Sequence, residues 1–237
     1  MSIYVVGSSK NMFPELDEGR EKFIVDIPHE GDNIDRLNRW YCELTGLYHM
    51  WKNSGADYVG LEHYRRFFVS IKNKTQRMGI GEAQEILERH DIIVTEYHHG
   101  PRYTALQWFK DSSRNGIRYV EYLRKFLEVL GEEDRVGFAE YINRHSLIQC
   151  NMFIGKRPVV DRWCSYIFET LSKYDRVCPP SENNIRMDGY LAEHMFGYWL
   201  EKEKVPYYRV PKVEIEYVVR CGNGPATTGP ALSPTHR

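Results

Sequence analysis

The chain has 237 residues, 42% of them hydrophobic, enough to bury a full core in one large domain. With 32 basic against 33 acidic residues the formal net charge is −1, which argues against wholesale nucleic-acid binding while leaving room for a local basic patch. Five scattered cysteines, with no C-x-x-C pair, argue against a disulfide frame or a zinc site and read as reduced thiols. No segment approaches the ~18 apolar residues of a spanning helix, so the expectation is a cytoplasmic, soluble protein. Aromatics at 14% suit surfaces that stack against sugars, bases or lipid headgroups.

In chain order, Ile3 to Val6 reads as a buried strand ending in the turn Gly7-Ser8-Ser9, and Phe23 to Ile27 as a second strand. From Ile34 the apolar positions Ile34, Leu37, Tyr41, Leu44, Tyr48 and Trp51 recur in steps of three and four, predicting one helix of about five turns capped by Asp32 or Asn33. A polar stripe on it, Asn38, Cys42, Thr45 and His49, reads as a solvent boundary or as a ligand-facing row. A Lys-rich loop (70–79), a short helix (82–88) and a β-branched strand (90–96) follow. Beyond the loop Tyr97 to Tyr103, with its adjacent His98 and His99, helical patterns run from Ala105 to Arg144. Leu147 to Gly155 is a buried strand interrupted by Asn151, an amide that must find partners or could hold a sugar hydroxyl. Helices over 159–174 and 185–202 and terminal strands within 205–219 complete a domain of residues 1–220. Residues 221–237 are Gly/Pro/Thr-rich and expected to be disordered. Strands alternating with helices imply an α/β fold with a mainly parallel sheet flanked by helices.

The most informative stretch is Asp57 to Phe68, where the apolar run Tyr58 to Leu61 passes into Glu62, His63, Arg65 and Arg66. Ligand crevices of α/β proteins form at the carboxyl ends of buried strands. Paired arginines offer forked donors suited to phosphate oxygens, and Glu62 with His63 could hold a divalent cation or handle a proton. The same pattern also fits an edge strand whose charges face water.

Four blocks occur in order: GDNIDRLNRWYCELTGLYHMWKN (Gly31 to Asn53), ADYVGLEHYRRFF (Ala56 to Phe68), QCNMFIGKRPVVDRWCSYIFETL (Gln149 to Leu171) and RMDGYLAEHMFGYWL (Arg186 to Leu200). Together they resemble a bacterial family first catalogued as a domain of unknown function, found in capsular and exopolysaccharide gene clusters and grouped with the glycosyltransferases. The resemblance spans about Ile3 to Glu216, and its one departure is Ser8-Ser9-Lys10 where a histidine-lysine is usual.

The resemblance implies a single GT-A-like (Rossmann-like) domain that transfers a sugar from a UDP-sugar to a growing, lipid-linked glycan at the inner face of the membrane. Galactose or galactofuranose is the expected sugar, and capsular polysaccharide, exopolysaccharide or O-antigen the product. Under this reading Asp32, Asn33 and Asn38 recognise the donor, and Glu62, His63, Arg65 and Arg66 meet its diphosphate. Mn²⁺ or Mg²⁺ could sit on Glu62 and His63. Asn151 and Arg186 face the acceptor, Asp188 is the catalytic carboxylate and Glu193 its second. The rival readings are a phosphoesterase or nucleotide hydrolase with a metal on Glu62, His63 and the His98-His99 loop, and a glycan-binding module.

Overall fold

Successive side chains of a strand point to opposite faces, so a continuous apolar run feeds two cores, one on either face of a sheet. The computed structural model describes residues 1–98, 102–112, 116–215 and 232–233, without the side chains of residues 97, 98, 108, 112, 116–118 and 232–233. Strands β1 (Ser2–Gly7), β2 (Arg20–Ile24) and β3 (Tyr58–His63) are parallel, with β1 in the middle. The other edge of β3 pairs with β6 (Ser146–Lys156), which runs antiparallel to β3 and to β5 (Ile92–His98). Strand β7 (Tyr207–Arg209) lies parallel to β5. A short antiparallel wing, β4 (Arg66–Phe68), β8 (Lys212–Ile215) and β9 (Leu232–Ser233), folds off the end of β3. The α/β architecture with flanking helices stands, but the mainly parallel sheet becomes a mixed one: among the described residues three strand pairings are parallel and five antiparallel. Buried strands read as continuous apolar runs in either direction, so the reversal of β6 leaves no mark on the pattern.

On one face, Tyr4, Val6, Val59, Leu61, Val94 and Phe153 pack against α2 (Leu44–Asn53), α7 (Arg157–Val177) and α8 (Met187–Lys202). On the other, Ile3, Ile93, Met152 and Ile154 meet α3 (Ile80–Leu87). Helices α4 (Ala105–Ser112), α5 (Gly116–Val129) and α6 (Glu132–Ile142) extend the first layer.

The long helix expected from Ile34 is broken. A 3₁₀ turn (Asp35–Leu37) leads into α1 (Asn38–Tyr41), and Cys42 then takes φ 53° and ψ −127°, outside any helix, before α2 begins. Gly189 of α8 packs on this break: a Cβ there would lie 3.3 Å from both Cys42 Cβ and Tyr41 O. Tertiary contact overrides the periodicity at that point, as it can wherever packing outweighs propensity.

Of the tail 221–237, only Leu232–Ser233 fall within the described residues, where they pair with β8; the expectation of disorder otherwise concerns residues outside them, as do His99 and the side chain of His98.

Candidate active site

A cavity of about 870 Å³ opens where β1 and β3 end, on the face that carries α1, α2 and α8. Val6, Gly7, Ser8 and Asn11 form one wall, and the turn after β1 is held by Asn11 Oδ1, which accepts from the N–H and hydroxyl of Ser8. Gly7 is tightly enclosed, since a Cβ there would meet the Phe13 ring at 2.7 Å and Tyr64 Cβ at 3.0 Å. Opposite lie Asn38, Cys42 and Glu43 from the break between α1 and α2.

The floor is a distortion of β6. Between Val94 and Glu96 the partner residue jumps from Phe153 to Ile148, so the strand bulges through Gln149, Cys150 and Asn151. Cys150 (φ 77°) and Asn151 (φ 45°) both adopt left-handed conformations. Five non-glycine residues with positive φ occur among the described residues, and three of them, Cys42, Cys150 and Arg186, line the cavity, with Asn151 adjoining. Backbone strain concentrated in this way is a mark of a site that must hold unusual geometry.

Polar side chains pin the bulge from three sides. Glu193 Oε1 accepts the Cys150 N–H at 2.9 Å, His63 Nε2 lies 2.7 Å from Cys150 O, and Asn151 Nδ2 donates to Glu43 Oε1 at 2.7 Å and to Gly189 O at 3.2 Å. Burial holds His63 below the usual histidine value, with Arg66 and Arg65 adding to the effect and Glu43 opposing it. A neutral ring with its proton on Nε2 therefore fits the bond to Cys150 O. Burial also raises both cavity thiols, Cys150 to about 12, so Cys42 and Cys150 stay protonated.

Glu193 is the carboxylate with the chemistry of a base. Burial, then the neighbouring charge of Glu43, pushes it up to about 7, against the pull of the Cys150 N–H, Arg66 and Lys212. Its Oε2 takes no hydrogen bond among the described residues. A base poised near neutrality is what general base catalysis requires.

The cations gather at the end of β3, where Tyr64 and Arg65 turn the chain into β4. Arg65 Nε and Arg66 Nε lie 3.1 and 3.4 Å from Glu214 Oε1, and Lys212 Nζ lies 4.0 Å from Glu214 Oε2. Three cations thus share one carboxylate. Burial works against the charge of Arg66, but the carboxylates of Glu214 and Glu193 help to outweigh it and hold the guanidinium above its usual value. Arg186, at the start of α8, adds a cation on the opposite side, over the Tyr190 ring at 5.4 Å.

Of the residues expected from the sequence, Asn38, His63, Arg65, Arg66, Arg186 and Glu193 meet in this cavity. Others do not line it. Glu62 is fully buried on the opposite face of β3, where Arg20 Nε and Nη2 bind it at 2.7 and 3.2 Å and the Phe68 N–H adds a contact at 3.3 Å. Adjacent strand residues point to opposite faces, so Glu62 and His63 do not fit a shared metal ion, and among the described residues no three His, Cys, Asp or Glu side chains converge on one. Asp32 and Asn33 build the loop before α1: Tyr48 donates to Asp32 Oδ1, and the Asn33 amide donates to His29 O and Gly31 O. Asn151 commits its amide to Glu43 and Gly189 rather than to the cavity.

Asp188 is 1% exposed and does not line the cavity. Burial, then Asp175, pushes it up to about 8 against the pull of its own backbone N–H, and this shift favours a neutral carboxyl beside Asp175. Tyr41 donates to the far oxygen of Asp175 at 2.8 Å. The polar stripe divides as well: Asn38 and Cys42 reach the cavity, while buried Thr45 bonds Cys42 O and His49 bonds Tyr4 and Glu30 O.

Sequence reading missed Glu43, Lys212 and Glu214. Glu43 carried a signal, an acid in CELT between the apolar and polar stripes, but only the break at Cys42 turns it inward.

The fold is similar to that of a solved structure described as the WbbM bifunctional glycosyltransferase in its apo form, with a TM-score of 0.72 at 18% identity. That match covers 89% of this chain and 44% of the other, so the chain spans less than half of the larger protein. No curated protein matches the sequence. Among the described residues no helix is long and apolar enough to cross a membrane. Residues 5–204 match the family described as "Domain of unknown function (DUF4422)", and the chain belongs to that family.

Proposed function

We propose that the protein is a glycosyltransferase with a GT-A-like domain, transferring a sugar from a UDP-sugar donor to a glycan acceptor. The observation that carries this reading is the pairing, in one cavity, of a three-cation cluster on Glu214 with a carboxylate whose pKa lies near neutrality, Glu193. The likeness in fold to a bifunctional glycosyltransferase supports it. The acceptor hydroxyl attacks the anomeric carbon of the donor and gives its proton to Glu193, while the bond from that carbon to the diphosphate oxygen breaks. Negative charge then grows on the departing UDP. Arg65, Arg66 and Lys212 are placed to stabilise it, and such preorganised charge is the largest single contribution in many enzymes. The nucleoside lies against Gly7, Ser8, Val25 and Asn38. Galactose or galactofuranose as the sugar, a lipid-linked acceptor at the inner membrane face, and capsular polysaccharide, exopolysaccharide or O-antigen as the product complete the proposal. The rival hydrolase loses support because Glu62, tied to Arg20, does not join His63.

A thermal-shift panel of nucleotide sugars, with and without Mn²⁺ or Mg²⁺, tests the reading. A ligand that binds only the folded state adds about 2.7 kcal/mol at 100 times its Kd, so a UDP-sugar should raise the melting temperature by several degrees. The paired arms show whether a divalent ion contributes. If no nucleotide sugar shifts the transition while a phosphate ester is hydrolysed, the reading fails.

A further inference from the structure

The cavity is cationic at two separate places. At the end of β3 the three cations share Glu214, and Glu193 in turn feels Arg66 and Lys212. Across the floor, Arg186 keeps other company: its electrostatic neighbours are Cys42, Tyr190 and Glu43. Among the described residues no carboxylate lies within ion-pair distance of its guanidinium. Arg186 is exposed where it lines the cavity, and a guanidinium there without an acid partner presents its forked donors to an anionic ligand.

The surroundings of Arg186 describe that ligand. Its own backbone is left-handed (φ 69°), a conformation that disfavours a side chain of this size and here aims it along the cavity wall. Tyr190 lies under the guanidinium, and Phe109 stands edge-on to Tyr190 at 4.9 Å, both lining the cavity. The result is an aromatic wall topped by one forked cation. Sugar rings pack on such walls, and a planar guanidinium pairs with two oxygens of a phosphate or carboxylate.

We infer that Arg186, Tyr190 and Phe109 form a second oxyanion subsite, distinct from the donor diphosphate site, which takes an anionic group carried by the acceptor. This deepens the transferase reading and rests on it. The shared chemistry is an oxyanion next to a sugar ring, whether the phosphate that links a glycan to its lipid or the carboxylate of an acidic sugar.

Calorimetric titrations of UDP-saturated protein with inorganic phosphate, with glucuronate and with neutral methyl glucoside test the inference. At least one anion should bind the UDP-loaded wild type, the neutral sugar more weakly, and Arg186→Ala should lower the anion affinity about tenfold. Arg186→Lys should retain part of it. Preference for phosphate points to the lipid-linked source, preference for glucuronate to an acidic sugar. UDP itself should bind Arg186→Ala within about twofold of wild type, on the additivity expected of groups without shared partners. The inference is overturned if neither anion binds the UDP-loaded protein, or if Arg186→Ala leaves anion binding unchanged, or if it loses UDP affinity as a donor contact would. Should Arg186→Ala fail to fold, Arg186→Gln carries the same comparison. If UDP does not bind the wild type at all, the transferase reading falls, and the anion titrations on unliganded protein still decide the subsite.

Discussion

Asn151 donates its side-chain amide to Glu43 at 2.7 Å across 108 positions of sequence, joining the bulge in β6 to the break between α1 and α2. Each partner sits at an irregular point of its element, and the bond fixes one against the other. Burial first and then the charge of Glu43 raise Glu193, so a residue held by this contact contributes to the charge state of the candidate base.

That coupling gives a prediction with a sign. As a base Glu193 must be ionised, so kcat/KM should rise with pH through about 7 and level off above it. Glu43→Gln removes a negative neighbour, lowers the Glu193 pKa and should move this acid limb to lower pH. A pH–rate profile of both proteins by UDP release checks it. An unmoved limb would show that Glu43 does not govern the base.

Glu193→Gln should lose ~10²–10⁴-fold in turnover, the usual contribution of a general base, and keep UDP affinity near wild type. Steady-state kinetics alongside UDP titration separates the two effects. Wild-type turnover in this variant would remove Glu193 from the chemistry.

Asp188 governs stability instead. Its folded pKa, about 8, lies above the ~3.9 of an unfolded aspartate, so the native state holds a proton that the unfolded chain gives up. This stabilisation is full below about pH 4 and is lost as pH rises through about 8, by up to ~1.4 kcal/mol per pH unit at the steepest. Glu193, raised in the same direction, adds to the trend. Asp188→Asn should flatten the curve and be relatively more stable at pH 8 than at pH 5. Denaturant melts across that range decide it; parallel curves for the two proteins would contradict the assignment.

Glu62 and Arg20 form a fully buried ion pair away from the cavity. Glu62→Gln leaves the buried Arg20 with the half-exposed Asp17 as its remaining carboxylate partner and should cost up to roughly 3–5 kcal/mol of stability. UDP affinity should be unaffected in the fraction that remains folded. Urea denaturation and UDP titration together distinguish this from a donor contact.

Much of this arrangement was legible in the sequence, and the failures have physical causes. Strands and helices showed through their periodicity, and HYRR did bring His63, Arg65 and Arg66 to a strand end beside the cavity. Period-two alternation already separates Glu62 from His63, but the partner of Glu62, Arg20, lies 42 positions upstream and no local pattern announces it. In the last block Arg186, Tyr190 and Glu193 recur at steps of four and three, which marks one helical face, whereas Asp188 stands five residues from Glu193 and about 140° around the helix. That spacing pointed to Glu193. It was masked because α8 is buried nearly all round, so no polar stripe identified the cavity side. The break at Cys42 and the bulge at Cys150 arise from packing between distant segments, and neither contains a glycine or proline to signal it.

The central claim, that the cations at the end of β3 receive the donor diphosphate, is tested most directly by calorimetric titration of UDP into wild type and Arg66→Ala. Loss of a charge-assisted contact should cost on the order of 2 kcal/mol, which is more than tenfold in Kd. Equal affinities in the two proteins, or no UDP binding to the wild type, would contradict it.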